Sequence, residues 1–440
     1  MQSELFLGLI GLFVLVALII LRMPIAYAMV LVGAGGVMAL SGPAILVSQM
    51  KTLAYGVFSN YDLSVVPLFV LMGHLATHAG LSQSLFRAAN AWLGRFKGGV
   101  AMSAVAACAG FGAVCGSSLA TASTMGHVAL PELERYRYSP ALATGTLAAG
   151  GVLGILIPPS VVLVVYSVIV EANIVQMFAA AFIPGLMAVL FFILTIAIYV
   201  RVFPNSGPPA DPVTRPEFIA ATISVLPVAI IFGLVIGGIY LGFFNPTPAA
   251  AIGVFLVLAY GLAMRLIGFA AIRAALLATA KTSGMIYLIL LGAKLLEIFM
   301  SRGGVPQAAA EMMATSGLSA YTILILLLVA LILLGCLMDS LSMILLAIPF
   351  FWPVISGLDF GMTGEETKIW FGILALVVVE LGLITPPVGM NVFVINAIAR
   401  GVPMSETFKG AMPFFCIELV RVALLIAFPW LVLVLPAIVK

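Results

Sequence analysis

The sequence predicts an all-α polytopic membrane protein with two inverted-topology repeats, each containing a re-entrant helical hairpin and a broken helix. Hydrophobic residues make up 64% of the 440 residues and charged residues only 8%. Apolar runs repeatedly exceed the roughly 18 residues that identify a membrane-spanning helix, so the lipid bilayer is the expected surroundings. These runs do not alternate polar and apolar residues as strands of a membrane β-barrel do. No basic cluster with interleaved aromatic residues indicates nucleic-acid binding.

The repeat rests on a motif that occurs twice. Gly-Ile-Leu-Ile-Pro-Pro at 154–159 returns 228 positions later as Gly-Leu-Ile-Thr-Pro-Pro at 382–387, and Pro24 and Pro248 are related by a similar offset of 224. A Pro-Pro pair breaks a helix because it removes amide donors and clashes with the preceding turn. Carbonyls freed in lipid need a partner, and a bound ion is one candidate. Matched breaks in two halves therefore indicate the binding site of a transporter.

The elements follow in chain order. Apolar runs predict crossings at 4–22, 24–41, 62–80, 140–171 (broken at Pro158), 176–203, 217–241, 247–266, 281–300, 367–399 (broken at Pro386) and 410–437. Segment 81–96 has apolar and polar residues on opposite faces, which predicts an amphipathic helix at the membrane surface. The Pro-rich segment 204–216 is a soluble linker and divides the chain into repeats 1–203 and 217–440.

Two further segments are predicted to be re-entrant hairpins with polar tips inside the membrane. They are 98–134, with a Gly-Ser-Ser tip, and 319–353, with an Asp-Ser-Leu-Ser tip. Two short crossings in each segment are the alternative. With the hairpins re-entrant, an odd number of crossings separates Pro24 from Pro248, and the second half is inverted.

Basic residues test this topology. It places Lys51, Arg302, Lys368 and Lys440 on one face, and Lys294 and Arg421 within segments. The other face receives Arg22, Arg87, Arg95, Lys97, Arg135, Arg137, Arg201, Arg215, Arg265, Arg273, Lys281, Arg400 and Lys409. The positive-inside rule makes this second face cytoplasmic and both termini periplasmic.

Polar groups at membrane depth are costly and therefore point to function. They form four clusters, namely the two hairpin tips and the two breaks, and the predicted topology brings these clusters together. The residues are Ser117, Ser118 and Thr121 at the first tip, Asp339, Ser340 and Ser342 at the second, and Ser160 and Asn391 just past the breaks. Oxygen atoms and helix ends suit a sodium ion and a carboxylate substrate.

Structural alternatives exist for these groups. Proline kinks occur without ligands, small residues also mediate helix packing, and Lys294 could neutralise Asp339. Glu380 could line the cavity or cap the second break. His74 and His78 share a helix face, but no third ligand completes a metal site.

Five motifs resemble those of the large membrane subunit of tripartite ATP-independent periplasmic (TRAP) transporters. They lie at 115–121, 150–160, 244–247, 335–339 and 382–391 and span almost the whole chain. The family often has Glu where Pro248 stands here. The resemblance implies a sodium-driven elevator mechanism, in which a transport domain slides against a scaffold. It also implies two partners, a small four-helix membrane subunit and a periplasmic substrate-binding protein, and uptake of small organic acids (carboxylates or sulfonates) across the inner membrane.

Matched by motif, Ser117, Ser118, Gly154 and Pro158 would form one sodium site. Asp339, Ser340, Ser342, Thr385, Pro386 and Gly389 would form the other, and Thr121, Ser160 and Asn391 would contact the substrate. Sodium ions would be the coupling ions, with no other cofactor.

A stand-alone sodium/dicarboxylate-type symporter of related architecture is the alternative. A passive channel is also possible, although two ion-site-like tips favour coupled transport. An intramembrane enzyme is not expected, because no catalytic constellation accompanies Ser117 or Asp339.

Overall fold

A computed structural model of the chain describes residues 2–21, 23–315 and 317–439. All regular structure within these ranges is helical. Arg22 and Lys440, which the predicted topology places on opposite faces, lie outside the described residues.

The helices of the first half of the chain are α1 (Gln2–Ile20), α2 (Ile25–Ser41), α3 (Pro43–Phe58), a 3-10 turn (Asp62–Ser64), α4 (Val65–His78), α5 (Leu81–Leu93), α6 (Gly99–Cys115), α7 (Ser118–Arg135), α8 (Pro140–Leu156), α9 (Val161–Val170) and α10 (Ile174–Val202). Those of the second half are α11 (Arg215–Ser224), α12 (Leu226–Tyr240), α13 (Pro246–Ala263), α14 (Phe269–Arg302), α15 (Val305–Thr315), α16 (Ala320–Gly335), α17 (Ser340–Ile355), α18 (Gly364–Gly382), α19 (Met390–Ile398), α20 (Met404–Ala427) and α21 (Trp430–Ile438).

Helix breaks fall where the sequence predicts them. The first predicted hairpin is α6 and α7, and the second is α16 and α17. The first broken helix is α8 and α9, whose axes differ by 46° across the Pro-Pro motif. The second is α18 and α19, separated by residues 383–389. Both Pro-Pro peptide bonds are cis.

Membrane-spanning helices are evident from length and hydropathy. Within the described residues, five helical stretches are long and apolar enough to cross a bilayer, and the total is up to seven if each of two bent helix pairs counts as one span. The five are Ile174–Val202, Arg215–Tyr240, Pro246–Ala263, Phe269–Arg302 and Met404–Ala427. Helices α1 and α2 are also apolar but shorter.

Several helices differ from the prediction. Helix α3 was not expected, because Gln49 and Lys51 interrupt its apolar run; Pro43 at its start fixes a helical φ. Helix α15 was not expected either. Helix α14 begins at Phe269 instead of 281, since its first turns carry exposed and basic residues. The predicted crossing 410–437 is two helices, and the break precedes Pro429, which cannot donate a backbone hydrogen bond.

The linker between the halves is held against the hairpin side of the protein. The Gly98 amide donates to the Gly207 carbonyl (2.8 Å), and the Ala210 amide donates to the Gly94 carbonyl (2.8 Å). Trp92 Nε1 on α5 also donates to Thr222 Oγ1 on α11 (3.0 Å). The expected extended connector is therefore fixed to the segment 94–98 through Gly207 and Ala210.

The helices pack as two bundles. Helices α1–α4 and α12–α15, here called the α14 bundle, pack mainly with one another around α14. Helices α6–α10 and α16–α21, here called the hairpin bundle, pack around α8 and α18. The bundles meet where α4 contacts α6 and where α14 contacts α17. Both hairpin tips lie in the hairpin bundle.

Candidate functional site

The first hairpin tip lies directly on the first helix break. Gly116 has φ +63°, and a Cβ there would lie 3.0 Å from the carbonyl oxygen of Pro159. A Cβ on Gly154 would lie 2.4 Å from Thr121 Oγ1 and 2.7 Å from the Ser117 carbonyl oxygen. Ser117 itself caps α7, its hydroxyl accepting from the Ala120 amide at 3.4 Å. Glycine at both positions therefore lets the tip and the break touch.

The second tip lies on the second break in an equivalent way. A Cβ on Gly382 would lie 2.4 Å from the carbonyl carbon of Gly335, which precedes the tip. The Gly389 amide donates to the Cys336 carbonyl at 3.4 Å. In the first half Gly112 makes the corresponding close approach to Gly154. Each half therefore pairs a hairpin with a broken helix through a close contact between two glycines.

The two breaks differ in exposure. Pro158 and its following proline are buried, whereas Pro386 and Pro387 are exposed. Thr385, just before them, donates its hydroxyl to the Leu381 carbonyl at 2.6 Å. The first break is thus closed by protein, and the second reaches the protein surface.

Asp339 caps helix α17. Its carboxylate accepts from the Ser342 amide at 3.2 Å and from the Ser342 hydroxyl at 2.6 Å. Lys294, the alternative partner considered for Asp339, pairs instead with Glu297 at 2.9 Å. The carboxylate of Asp339 is therefore held by hydrogen bonds, and no described ion pair neutralises it.

Glu380 joins the two tips. The residue is fully buried on α18, and its Oε2 accepts from the Ser118 hydroxyl at 2.5 Å. Its Oε1 accepts from the Ser340 hydroxyl. The sequence left two roles open for Glu380, lining the cavity or capping the second break, and this bridge between the tips was not predicted. The available signal was an acid in the middle of an apolar run, one turn before the second break.

Two buried acceptors at the site have no hydrogen-bond partner. They are Thr121 Oγ1 and Asn391 Oδ1. The Asn391 amide nitrogen donates to the Ala148 carbonyl at 3.2 Å, which ties the second broken helix to the first. Ser160 is fully buried and caps α9, accepting from the Leu163 amide at 3.4 Å. Buried polar atoms are almost always paired, so these free acceptors mark places for a ligand or water.

A cavity of about 510 Å³ lies between the two bundles. The hairpin bundle contributes Ser117, Ser118, Asp339 and Ser340 to its wall, and α4 contributes His74. Among the lining residues His74 is the only basic side chain and Asp339 the only acidic one. Thr121, Ser160 and Asn391, predicted to contact the substrate, are buried residues outside the cavity lining.

The charged groups around the tips are mainly acids. Glu380 has Glu418 and Asp339 as its electrostatic neighbours. Glu418 is buried and bound to Arg421, whose other nitrogen donates to the Pro184 carbonyl at 2.8 Å. Glu418 and Arg421 thus neutralise each other, as their i, i+3 spacing predicts. The guanidinium of Arg421 is bound to Glu418 and to the Pro184 carbonyl. No cluster of three or more metal-ligating His, Cys, Asp or Glu side chains occurs in the described part of the chain.

Membrane-length helices, with hairpin tips and helix breaks meeting beside a cavity between two bundles, define a membrane transport protein. The family model of the tripartite ATP-independent periplasmic transporter, DctM component, matches residues 12–431. The C4-dicarboxylate TRAP transporter large permease protein of Pseudomonas aeruginosa is 33% identical over 396 residues, covering 88% of this chain and 90% of the relative. The sialic acid TRAP transporter large permease protein of Vibrio cholerae is 30% identical, covering 94% of this chain and 95% of the relative.

A solved structure shares the fold. The YdaH transporter of Alcanivorax borkumensis superimposes with a TM-score of 0.64 at 14% identity, covering 89% of this chain and 90% of that chain. The chain therefore belongs to the large permease family of TRAP transporters, as the motifs predicted. It is a multi-pass membrane transport protein and not an enzyme.

Proposed function

We propose that this protein uses a sodium gradient to take up a small organic acid that a periplasmic binding protein delivers. The observation that carries the proposal is the meeting of both hairpin tips at Glu380, which accepts a hydrogen bond from a serine hydroxyl of each tip. Asp339 at the second tip has no ion-pair partner among the described residues. Hydroxyl and carboxylate oxygens brought together within the membrane favour bound hard cations.

The helix ends at the tips suit these cations. Helices α6 and α8 end at the first tip and first break, and their C-terminal carbonyls carry partial negative charge. Hard cations take oxygen ligands, which serine hydroxyls and freed carbonyls supply. We assign the first sodium site to Ser117, Ser118, Gly154 and Pro158, close to the unpartnered hydroxyl of Thr121.

The second sodium site is assigned to the second tip and second break. Its residues are Asp339, Ser340, Ser342, Thr385, Pro386 and Gly389. The hydrogen bond from Gly389 to Cys336 and the cap of Asp339 on Ser342 support this assignment, because they hold the break and the tip together.

The substrate would occupy the cavity between the bundles. Its volume of about 510 Å³ lies within the range of about 300–1,000 Å³ that is usual for small-molecule sites. Relatives carry names that specify C4-dicarboxylate and sialic acid, which are both carboxylates. His74 is the basic side chain in the wall, so we assign it as a donor to a substrate carboxylate. Ser160 and Asn391 would shape the cavity from behind.

The two bundles support an elevator mechanism. The α14 bundle would be the scaffold, and the hairpin bundle would be the transport domain that carries both sodium sites. The word tripartite in the family description supports two partners, a small four-helix membrane subunit and a periplasmic binding protein. The inner membrane is the proposed location, with both termini in the periplasm by the positive-inside rule.

Uptake in proteoliposomes tests the proposal. The protein, its small subunit and its binding protein are reconstituted, and uptake of C4-dicarboxylates and sialic acid is measured under sodium or potassium gradients. We expect uptake to need an inward sodium gradient and no ATP. Asp339→Asn, which preserves size and removes charge, should lower sodium-driven uptake at least about tenfold. Asp211→Asn in the linker is the matched control and should retain uptake.

Two results would overturn the proposal. One is equal uptake under a potassium gradient, and the other is wild-type uptake by Asp339→Asn. Sodium-driven uptake of a dicarboxylate without the binding protein would instead favour the stand-alone symporter.

A further inference from the structure

We propose that Glu380 is a positioning residue that orients serine hydroxyls in both sodium sites and thereby couples their occupancy. This inference rests on the proposed function. Its starting observation is that one buried carboxylate binds two hydroxyls from different halves of the chain. Ser118 lies in the first turn of α7 and Ser340 in the first turn of α17, and each donates to a different oxygen of Glu380.

The carboxylate has no basic partner among the described ion pairs. Its electrostatic neighbours are the acids Glu418 and Asp339, and Arg421, the partner of Glu418, also donates to the Pro184 carbonyl. An acid in this position destabilises the fold unless donors or cations compensate it. The two serine hydroxyls supply these hydrogen bonds, one to each oxygen of the Glu380 side chain.

Hydroxyl chemistry gives this arrangement a consequence. A serine hydroxyl has one hydrogen to donate and two lone pairs that accept. Because the hydrogens of Ser118 and Ser340 point to Glu380, their lone pairs face away from it. Both hydroxyls are therefore available to a cation only as acceptors, which is the orientation that a sodium ligand requires.

The shared acceptor also links the two tips. Movement of one serine displaces Glu380, and Glu380 then changes its bond to the other serine. A first sodium ion that fixes Ser118 would therefore prepare Ser340 for the second. Reciprocal coupling of this kind is typically about 5–150-fold in affinity.

A sodium titration of the purified wild-type protein tests the coupling without a substrate. The Tm is measured in detergent as NaCl replaces KCl at constant ionic strength, which yields the half-saturating sodium concentration and its Hill coefficient. We expect a Hill coefficient above 1. In Glu380→Gln an NH2 group replaces one of the two acceptor oxygens. The serine that faces this NH2 group must accept a hydrogen bond from it and point its own hydroxyl hydrogen elsewhere. We expect this variant to need about tenfold more sodium, with a Hill coefficient near 1.

Two serine variants keep the test decisive if Glu380→Gln folds poorly. Ser118→Ala should likewise give a Hill coefficient near 1, whereas Ser103→Ala should titrate as wild type. Ser103 is a buried serine of the first hairpin whose hydroxyl donates to the Gly99 carbonyl at 2.7 Å, away from Glu380. A merely structural role of Glu380 would lower the Tm in KCl and leave the sodium response unchanged.

The outcomes separate the two proposals. A sodium response in wild type with a Hill coefficient of 1, or superimposable titrations of wild type, Glu380→Gln and Ser118→Ala, would overturn the role of Glu380. A wild-type Tm that does not respond to sodium would overturn sodium coupling itself, and the inference with it.

Discussion

Replacing Gly154 by alanine is expected to damage both stability and sodium binding, because this glycine lets the first break touch the first tip. The new Cβ would lie 2.4 Å from Thr121 Oγ1 and 2.7 Å from the Ser117 carbonyl oxygen. Ordinary van der Waals contacts begin at 3.4 Å, so the tip must retreat by about 1 Å.

The magnitude follows from two opposing contributions. Overpacking a well-packed interior costs about 1–3 kcal/mol. Alanine in place of glycine within a helix returns about 0.5–1 kcal/mol. The net loss should be about 1–2 kcal/mol of folding free energy, which corresponds to a Tm lowered by a few degrees. Displacement of the oxygen ligands at Ser117 and Thr121 should also raise the half-saturating sodium concentration by about tenfold. This tenfold loss of affinity corresponds to about 1.4 kcal/mol of binding free energy.

The assay is thermal unfolding in detergent with NaCl or KCl, followed by sodium-dependent uptake in proteoliposomes. Gly233→Ala is the matched control, because Gly233 also lies within a helix but a Cβ there meets no atom within 4 Å. That variant should keep or slightly raise the Tm. Wild-type Tm and wild-type sodium dependence in Gly154→Ala would refute the close contact between tip and break.

Two further variants test the cavity and the buried ion pair. His74→Leu should raise the substrate KM of uptake about tenfold or more, because a hydrogen bond to the substrate carboxylate is lost. His78 is exposed on the same helix face, so His78→Leu is the control and should keep the wild-type KM. Equal KM values for the two variants would remove His74 from the substrate site. Arg421→Met should lower the free energy of unfolding by about 3–5 kcal/mol, because Glu418 is left as an unpaired buried charge. The double variant Glu418→Leu with Arg421→Met should regain much of this stability. An Arg421→Met protein as stable as wild type in thermal unfolding would contradict the buried pair.

The hairpins and breaks could be predicted from the sequence because their signals are local. The Pro-Pro pairs mark the two broken helices, and short polar tips within apolar runs mark the hairpins. Repetition of the motif in two halves then indicated that Ser117 and Asp339 lie in one region. The structure places both in the wall of the same cavity.

The bridge through Glu380 could not be predicted, because it is a tertiary contact. Its partners lie 262 and 40 positions away in the chain, and no spacing rule relates a carboxylate to serines so distant. The same limit applies to the linker, whose bonds to the Gly94–Gly98 region depend on the packed fold. Helix α3 was not predicted for a different reason. Lys51 interrupts the apolar run in the sequence, but the helix continues through this residue.

Binding of ²²Na⁺ to the purified protein tests the central claim most directly. Scintillation proximity measurements should show label that excess unlabelled sodium displaces and excess potassium does not. Asp339→Asn should lose bound label, and Asp211→Asn should retain it. Label that potassium displaces equally well, or that Asp339→Asn binds as wild type does, would contradict a sodium site where the hairpin tips meet the helix breaks.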